Sequence, residues 1–144
     1  MKRRLALALL GACALAALAS RARAQDWRPP SNQMPAMPRL GELQGGWQSP
    51  WTGAMARASG ADAGQVRAVG EAAGGDRARF VRFTAGVFPV ATWSDRNGDG
   101  TCDLVEIFRD GARVYQLIDA DLDGSANVLR VYDASGSLLR EERL

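Results

Sequence analysis

The alternation of apolar and polar positions becomes sharp after residue 76. Arg77 to Phe83 reads R-A-R-F-V-R-F and Val87 to Trp93 reads V-F-P-V-A-T-W. Both are strand-like runs rich in β-branched and aromatic residues, and Thr84-Ala85-Gly86 between them predicts a hairpin. Leu104 to Phe108 leads into Arg109-Asp110-Gly111-Ala112. The Asp-Gly pair favours the positive φ angles of a tight reversal, so Arg113 to Ile118 returns as the partner strand. Val128 to Tyr132 and Ser137 to Glu141 form a further pair across the turn residues Asp133-Ala134-Ser135-Gly136. The expected fold class is all-β, a small antiparallel meander of about six short strands over residues 77–144 with an irregular N-terminal arm.

Upstream the pattern fades. Residues 25–52 hold prolines at 29, 30, 35, 38 and 50 and glycines at 41, 45 and 46, which reads as an arm or linker. Trp27, Trp47 and Trp51 lie in it, either to pin the arm to the domain or to form an aromatic platform for a sugar or peptide. Residues 53–76 are rich in Ala and Gly. Gln65 to Glu71 alternates like a strand, while a short helix over 54–58 or 62–69 is equally compatible. Residues 1–24 form the pattern of a secretory signal peptide: Lys2, Arg3 and Arg4, an apolar run from Leu5 to Ala19, then Ala22-Arg23-Ala24 as the cleavage site. The apolar run is shorter than the roughly 20 residues of a membrane span, so no transmembrane span is expected in the mature chain. An uncleaved anchor, or lipidation of Cys13 within Leu10-Gly11-Ala12-Cys13, is the alternative. The expected location is periplasmic or secreted.

Processing after Ala24 would change the charge. The whole chain carries +2; loss of five cations leaves 13 arginines against 16 acids, a net −3. The basic balance therefore belongs to the leader, and nothing in the mature charge favours nucleic acid. The chain has no histidine and its single lysine is Lys2. That excludes Ser/His and Cys/His nucleophiles, Schiff bases, phosphate-binding lysine loops and His-ligated zinc from the mature chain. Cys102 alone survives processing, so no internal disulfide forms; it is either a buried small apolar side chain or an exposed thiol able to cross-link two chains.

What remains is carboxylate chemistry. Asp95-Arg96-Asn97-Gly98-Asp99-Gly100-Thr101-Cys102-Asp103-Leu104-Val105-Glu106 fits D-x-[DN]-x-[DN]-G-x5-E at every required position. Alternate residues of a tightly curled loop turn oxygens inward onto a hard cation, and Gly100 permits the sharp bend. The candidate ligands are Asp95, Asn97, Asp99, the Thr101 carbonyl, Asp103 and Glu106. Twenty-four residues on, Asp119-Ala120-Asp121-Leu122-Asp123-Gly124-Ser125-Ala126-Asn127 repeats the pattern, offering Asp119, Asp121, Asp123, the Ser125 carbonyl and Asn127. Its twelfth position is Arg130, which cannot ligate a cation, and its fourth is Leu122 in place of glycine. It is either a degenerate empty copy or a weaker site. The flanking runs are short, β-branched and aromatic, so the loops are expected to join strands instead of helices.

The stretch DRNGDGTCDLVEIF resembles the D-x-N-G-D-G-x-x-D-L segment of FG-GAP and VCBS-type repeats, and more broadly exported bacterial proteins with tandem D-x-D-x-D-G loops. The resemblance covers about residues 90–144. It implies strand-loop-strand calcium sites with ligands at loop positions 1, 3, 5, 7 and 9. Val131 to Leu138 (VYDASGSL) likewise resembles the Y-D-x-x-G-x-L of tyrosine-aspartate hairpin repeats. Ile118-Asp119-Ala120-Asp121 is similar to the aspartyl nucleophile motif of haloacid dehalogenase-type phosphatases, but the lysine and the Thr or Ser of that motif are missing.

The leading expectation is an exported calcium-binding β module, not an enzyme, in which Ca2+ stabilises a small core and shapes a surface for an envelope or extracellular protein or glycan. An envelope structural or adhesion protein acting through its Trp-rich arm is the second reading. A hydrolase using paired carboxylates, such as Glu106 with Glu71, is the third.

Overall fold

The computed structural model of the chain describes residues 36–40, 50–72 and 78–144. The leader, Cys13, Trp27 and Trp47 lie outside them. Helix α1 (Pro50–Ser59) and a 3₁₀ turn (Ala63–Gln65) precede seven strands: β1 (Val66–Ala72), β2 (Ala78–Ala85), β3 (Phe88–Ser94), β4 (Leu104–Arg109), β5 (Ala112–Ile118), β6 (Val128–Tyr132) and β7 (Leu138–Arg143). The strands form one antiparallel sheet in sequence order. The expected meander is thus the fold, enlarged by one strand. The alternation at Gln65 to Glu71 forms β1, which pairs with β2 from Val66 onward, so the sheet begins before residue 77. The alternative of a helix over 62–69 is not what forms there.

Strand alternation places one apolar row beside another on a single face. Val81, Trp93, Val105, Leu117 and Leu129 stand directly opposite one another across five strands. Phe83, Ala91, Ile107, Tyr115 and Val131 form the next row. No member of either row is more than 3% exposed. The intervening residues Arg82, Thr92, Glu106, Gln116, Arg130 and Glu141 form a polar row on the other face. A one-residue slip would exchange the two faces, so burial fixes the register.

Helix α1 covers the apolar face. Pro is favoured at a first helical position because its missing N–H is unpaired there anyway, and Pro50 opens α1. Gly60, at φ +76°, closes it. The Gly60 N–H donates to the Arg57 carbonyl (3.3 Å) and the Ala61 N–H to the Ala56 carbonyl (3.0 Å), the paired bonds of a Schellman cap. Trp51 and Met55 are buried against the sheet, and the Trp93 indole N–H donates to the Met55 sulfur at 3.0 Å. Trp51 therefore belongs to the core, not to an open aromatic platform, and residues 50–52 belong to a helix, not to an arm. Cys102 is fully buried, which selects the apolar of its two readings.

The hairpins repeat with a period of 24 residues. The sheet register shifts between Phe83 and Thr84, between Ile107 and Phe108, and between Val131 and Tyr132. In the first two hairpins the extra residue is Val90 and Val114, and both are buried. The first two turns are two-residue reversals, Gly86-Val87 and Asp110-Gly111, with positive φ at Gly86, Asp110 and Gly111. The third is longer. There the Asp133 carboxylate accepts from the Ser135 hydroxyl (2.6 Å) and from the N–H groups of Ser135 (2.8 Å) and Ser137 (2.9 Å).

Two outcomes follow from this packing. Leu117→Ala opens a void in the middle of the first row and is expected to lower unfolding free energy by about 2–5 kcal/mol, whereas Val87→Ala at an exposed turn changes it by no more than about 0.5 kcal/mol, both read from urea unfolding midpoints. The Ser135 hydroxyl, with the backbone N–H groups, holds the Asp133 pKa below 3.8. An acid whose pKa is lower folded than unfolded stabilises above the unfolded value and loses that contribution as pH falls through the folded one. The melting-temperature deficit of Asp133→Ala is therefore expected at neutral pH and to narrow as pH drops below 3.8.

Candidate metal centre

The β3–β4 loop (Asp95–Asp103) and the β5–β6 loop (Asp119–Asn127) leave the same end of the sheet, since alternate strands of a meander run in the same direction. Strands flank both, as expected, so neither is a helix-loop-helix site. Each loop is curled by its own acidic residues. The first position is buried: Asp95 is 3% and Asp119 is 2% exposed. Asp95 accepts from the N–H groups of Gly98 (2.6 Å) and Gly100 (2.9 Å). Asp119 accepts from Leu122 (2.7 Å), Asp123 (3.3 Å) and Gly124 (2.8 Å). These charge-assisted bonds offset the cost of burying a carboxylate and satisfy amides that would otherwise have no partner.

The later positions repeat the correspondence. Asp99 accepts from the Thr101 N–H at 2.7 Å, and Asp123 from the Ser125 N–H at 2.8 Å. Asp103 accepts from the Arg96 N–H at 2.7 Å, and Asn127 from the Ala120 N–H at 3.0 Å. The backbone agrees too: Gly98 and Gly100 have φ +80° and +93°, Leu122 and Gly124 have φ +61° and +91°. Leu122 thus adopts the left-handed conformation that glycine takes in the first loop, at the expense of a crowded Cβ.

The loops differ in what neutralises their charge. In the first, the Arg96 guanidinium pairs with Asp103, which is only 2% exposed. The Arg79 guanidinium lies against Gly98, so close that a Cβ built there would stand 2.6 Å from it. The Asn97 amide donates to the outer oxygen of Asp99 at 2.9 Å. The Thr101 N–H above all, then the Asn97 amide, hold the Asp99 pKa below its ordinary value, and Arg39 adds to the effect. In the second loop the residues 24 positions after Arg96, Arg79 and Asn97 are Ala120, Asp103 and Asp121. Among the described residues no guanidinium pairs with Asp119, Asp121 or Asp123. Burial, reinforced by the neighbouring Asp121 carboxyl, pushes the Asp119 pKa up, although the loop N–H groups oppose it.

Asp119, Asp121 and Asp123 each offer an oxygen within 4.8 Å of the others. Oxygens about 2.3–2.6 Å from a common Ca2+ lie within about 5 Å of one another, so the spacing fits such an ion. Among the described residues this is the one such acidic group; Asp95, Asp99 and Asp103 do not form another. Asn127 stands beside the triad, its amide donating to Asp121 at 2.8 Å. Thr101 and Ser125 form backbone bridges with Arg39 and Ala36.

Glu106 is a correction to the sequence expectation. It lies in β4 on the polar face, where its carboxylate accepts from Thr92 (3.2 Å), Arg113 (3.0 Å) and Gln116 (2.8 Å), so it does not close the first loop. Strand geometry explains this: three residues into β4 the side chain must follow the two-residue alternation, not the loop's focus. Glu71, the other carboxylate of the paired-hydrolase expectation, lies in β1, three strands from Glu106 in the sheet order, and its side chain lies outside the described residues. The arginines around the first loop and the contribution of residues 36–40 were not indicated by motif spacing; only Arg96, inside the loop, offered a signal. Among the described residues no helix is long and apolar enough to cross a membrane. No protein-family model, curated protein or solved structure matches the chain.

The strain at Leu122 is testable. Leu122→Gly is expected to raise stability by up to about 1 kcal/mol, while Gly98→Leu lowers it by more than about 1 kcal/mol, because the new side chain meets both the left-handed backbone and the Arg79 guanidinium. Paired urea unfolding curves check the opposite signs.

Proposed function

We propose that this chain is an exported calcium-binding β module whose second loop holds the ion and whose first loop has arginines beside its acids, Arg96 from within and Arg79 and Arg39 from outside. The observation that carries the reading is the clustering of one oxygen each from Asp119, Asp121 and Asp123 within 4.8 Å of one another, with no guanidinium paired to them among the described residues. Three carboxylates this close repel one another, and a divalent cation relieves that repulsion without a proton. All-oxygen ligation suits a hard cation, and the absence of histidine removes the usual nitrogen ligand for zinc or copper. Residues 1–24 supply the export signal in this reading. Outside the cell calcium is abundant enough for sites with dissociation constants of about 10⁻⁴–10⁻³ M. The likeness to FG-GAP and VCBS-type strand-loop-strand sites is part of the proposal, as is a role in presenting a surface to an envelope or extracellular protein or glycan.

Binding to the folded form alone stabilises it, by about 2.7 kcal/mol at 100 times the dissociation constant. Calorimetric titration with Ca2+ is expected to give one binding event in the full chain, abolished by Asp123→Ala and retained by Asp99→Ala, with circular dichroism confirming that both variants fold. A trace indistinguishable from dilution into buffer, or loss of the event with Asp99→Ala alone, sinks the reading.

A further inference from the structure

We propose that residues 36–40 are a clasp that couples the two loops, so that a cation held by the second loop also tightens the first; this rests on the calcium reading of the second loop. The clasp joins both loops through the backbone. The Met37 N–H donates to the Gly124 carbonyl at 2.9 Å, the Leu40 N–H donates to the Gly100 carbonyl at 3.0 Å, and the Pro38 carbonyl accepts from the Cys102 N–H at 2.9 Å. Ala36 bridges Ser125 and Arg39 bridges Thr101, each antiparallel. Met37 is buried in the core, which fixes the clasp in position as well as in direction.

The spacing of the contacts matches the sheet. Ala36 and Arg39 are three residues apart, about 10 Å in extended chain, and the loops recur every two strands, about 9.6 Å. The clasp therefore runs across the strand ends and meets equivalent points of successive hairpins. The peptide groups it touches also hold the loop carboxylates. In the peptide joining residues 124 and 125 the Gly124 carbonyl accepts from Met37 while the Ser125 N–H donates to Asp123; in the peptide joining residues 100 and 101 the Gly100 carbonyl accepts from Leu40 while the Thr101 N–H donates to Asp99. Each end of the clasp is thus bonded to a peptide group that also holds a loop carboxylate, Asp123 in the second loop and Asp99 in the first, and two bonds sharing one peptide group reinforce one another. The loops also meet directly at one bond, from the Asp119 N–H to the Asp103 carbonyl at 3.0 Å. The clasp adds three.

The test is amide hydrogen exchange on the full chain, with and without Ca2+, beside calorimetry. Calcium is expected to slow exchange at Leu122 and Gly124 and also, by about tenfold, at Met37, Leu40, Gly98 and Gly100. Leu40→Pro, which deletes the donor to Gly100, is expected to weaken calcium binding by about threefold or more while amides of β4 and β5 keep their protection. Met37→Ala, which keeps the backbone donor but loosens its anchor, is expected to act in the same direction. Calcium binding that slows Leu122 and Gly124 but leaves Leu40, Gly98 and Gly100 unchanged overturns the clasp and leaves the calcium reading standing. Absence of any calcium heat overturns both.

Discussion

A carboxylate buried at the start of each inter-hairpin loop is the constraint on which the structure depends. A meander needs its chain to leave one hairpin and enter the next, and a nine-residue loop does so with several amides turned away from any strand partner. Asp95 and Asp119 collect those amides, two or three each, on a side chain almost sealed from water. The loop is thereby fixed at a single curvature, and strand positions 24 residues apart come into equivalent register. The recurring bulges after Phe83, Ile107 and Val131 keep that phase through three hairpins. The two apolar rows can then run straight across the sheet under α1 because every hairpin presents its side chains in the same phase.

Much of this was legible along the chain because local chemistry and tertiary burial point the same way. Asp110-Gly111 reverses the chain where positive φ is needed, and the alternation in Arg77 to Phe83 becomes the buried pair Val81 and Phe83. Helix α1 was legible only in part. Pro50, Gly53 and a run of alanines give little amphipathic contrast, and the helix is nearly enclosed, so Trp51, Ala54, Met55, Ala56 and Ala58 are all buried in place of one face. Residues 36–40 have no periodic signal at all, because their partners are carbonyls of Gly100 and Gly124, far away in sequence. Glu106 satisfied a spacing rule, yet the pleat of β4 decided where its side chain would go.

The candidate ion site shows a subtler failure of spacing. The first loop matches the calcium pattern more fully than the second, yet it carries an amide, Asn97, where the second carries a third carboxylate, so the acidic triad belongs to the second. The pattern counts oxygens within the loop and takes no account of cations arriving from elsewhere. Arg79 comes from β2, and Arg39 from a segment that reaches the loop only after the chain has folded. Arg96 was visible inside the loop, but its pairing with Asp103 depends on Asp103 being drawn inward by the Arg96 N–H.

The two loops therefore pose one electrostatic problem and answer it twice. Their backbones share most of their hydrogen bonds, the Asp123 N–H being one further amide on the first aspartate of the second loop, so curvature does not distinguish them. The distinction lies in five correspondences: Arg79 with Asp103, Arg96 with Ala120, Asn97 with Asp121, Asp103 with Asn127, and Gly98 with Leu122. The last accompanies the first: the Arg79 guanidinium lies on Gly98 and would have to shift for a side chain there, whereas Leu122 has no arginine at the corresponding place. Each of the first three adds a negative charge or removes a positive one in passing from the first loop to the second, and the fourth removes one negative charge. A scaffold that balances its acids with its own arginines gains order that does not vary with conditions. In the proposed reading, one that leaves three carboxylates within 4.8 Å of one another makes its order depend on the cation around it, and in this fold that loop shares a five-residue backbone link with its neighbour.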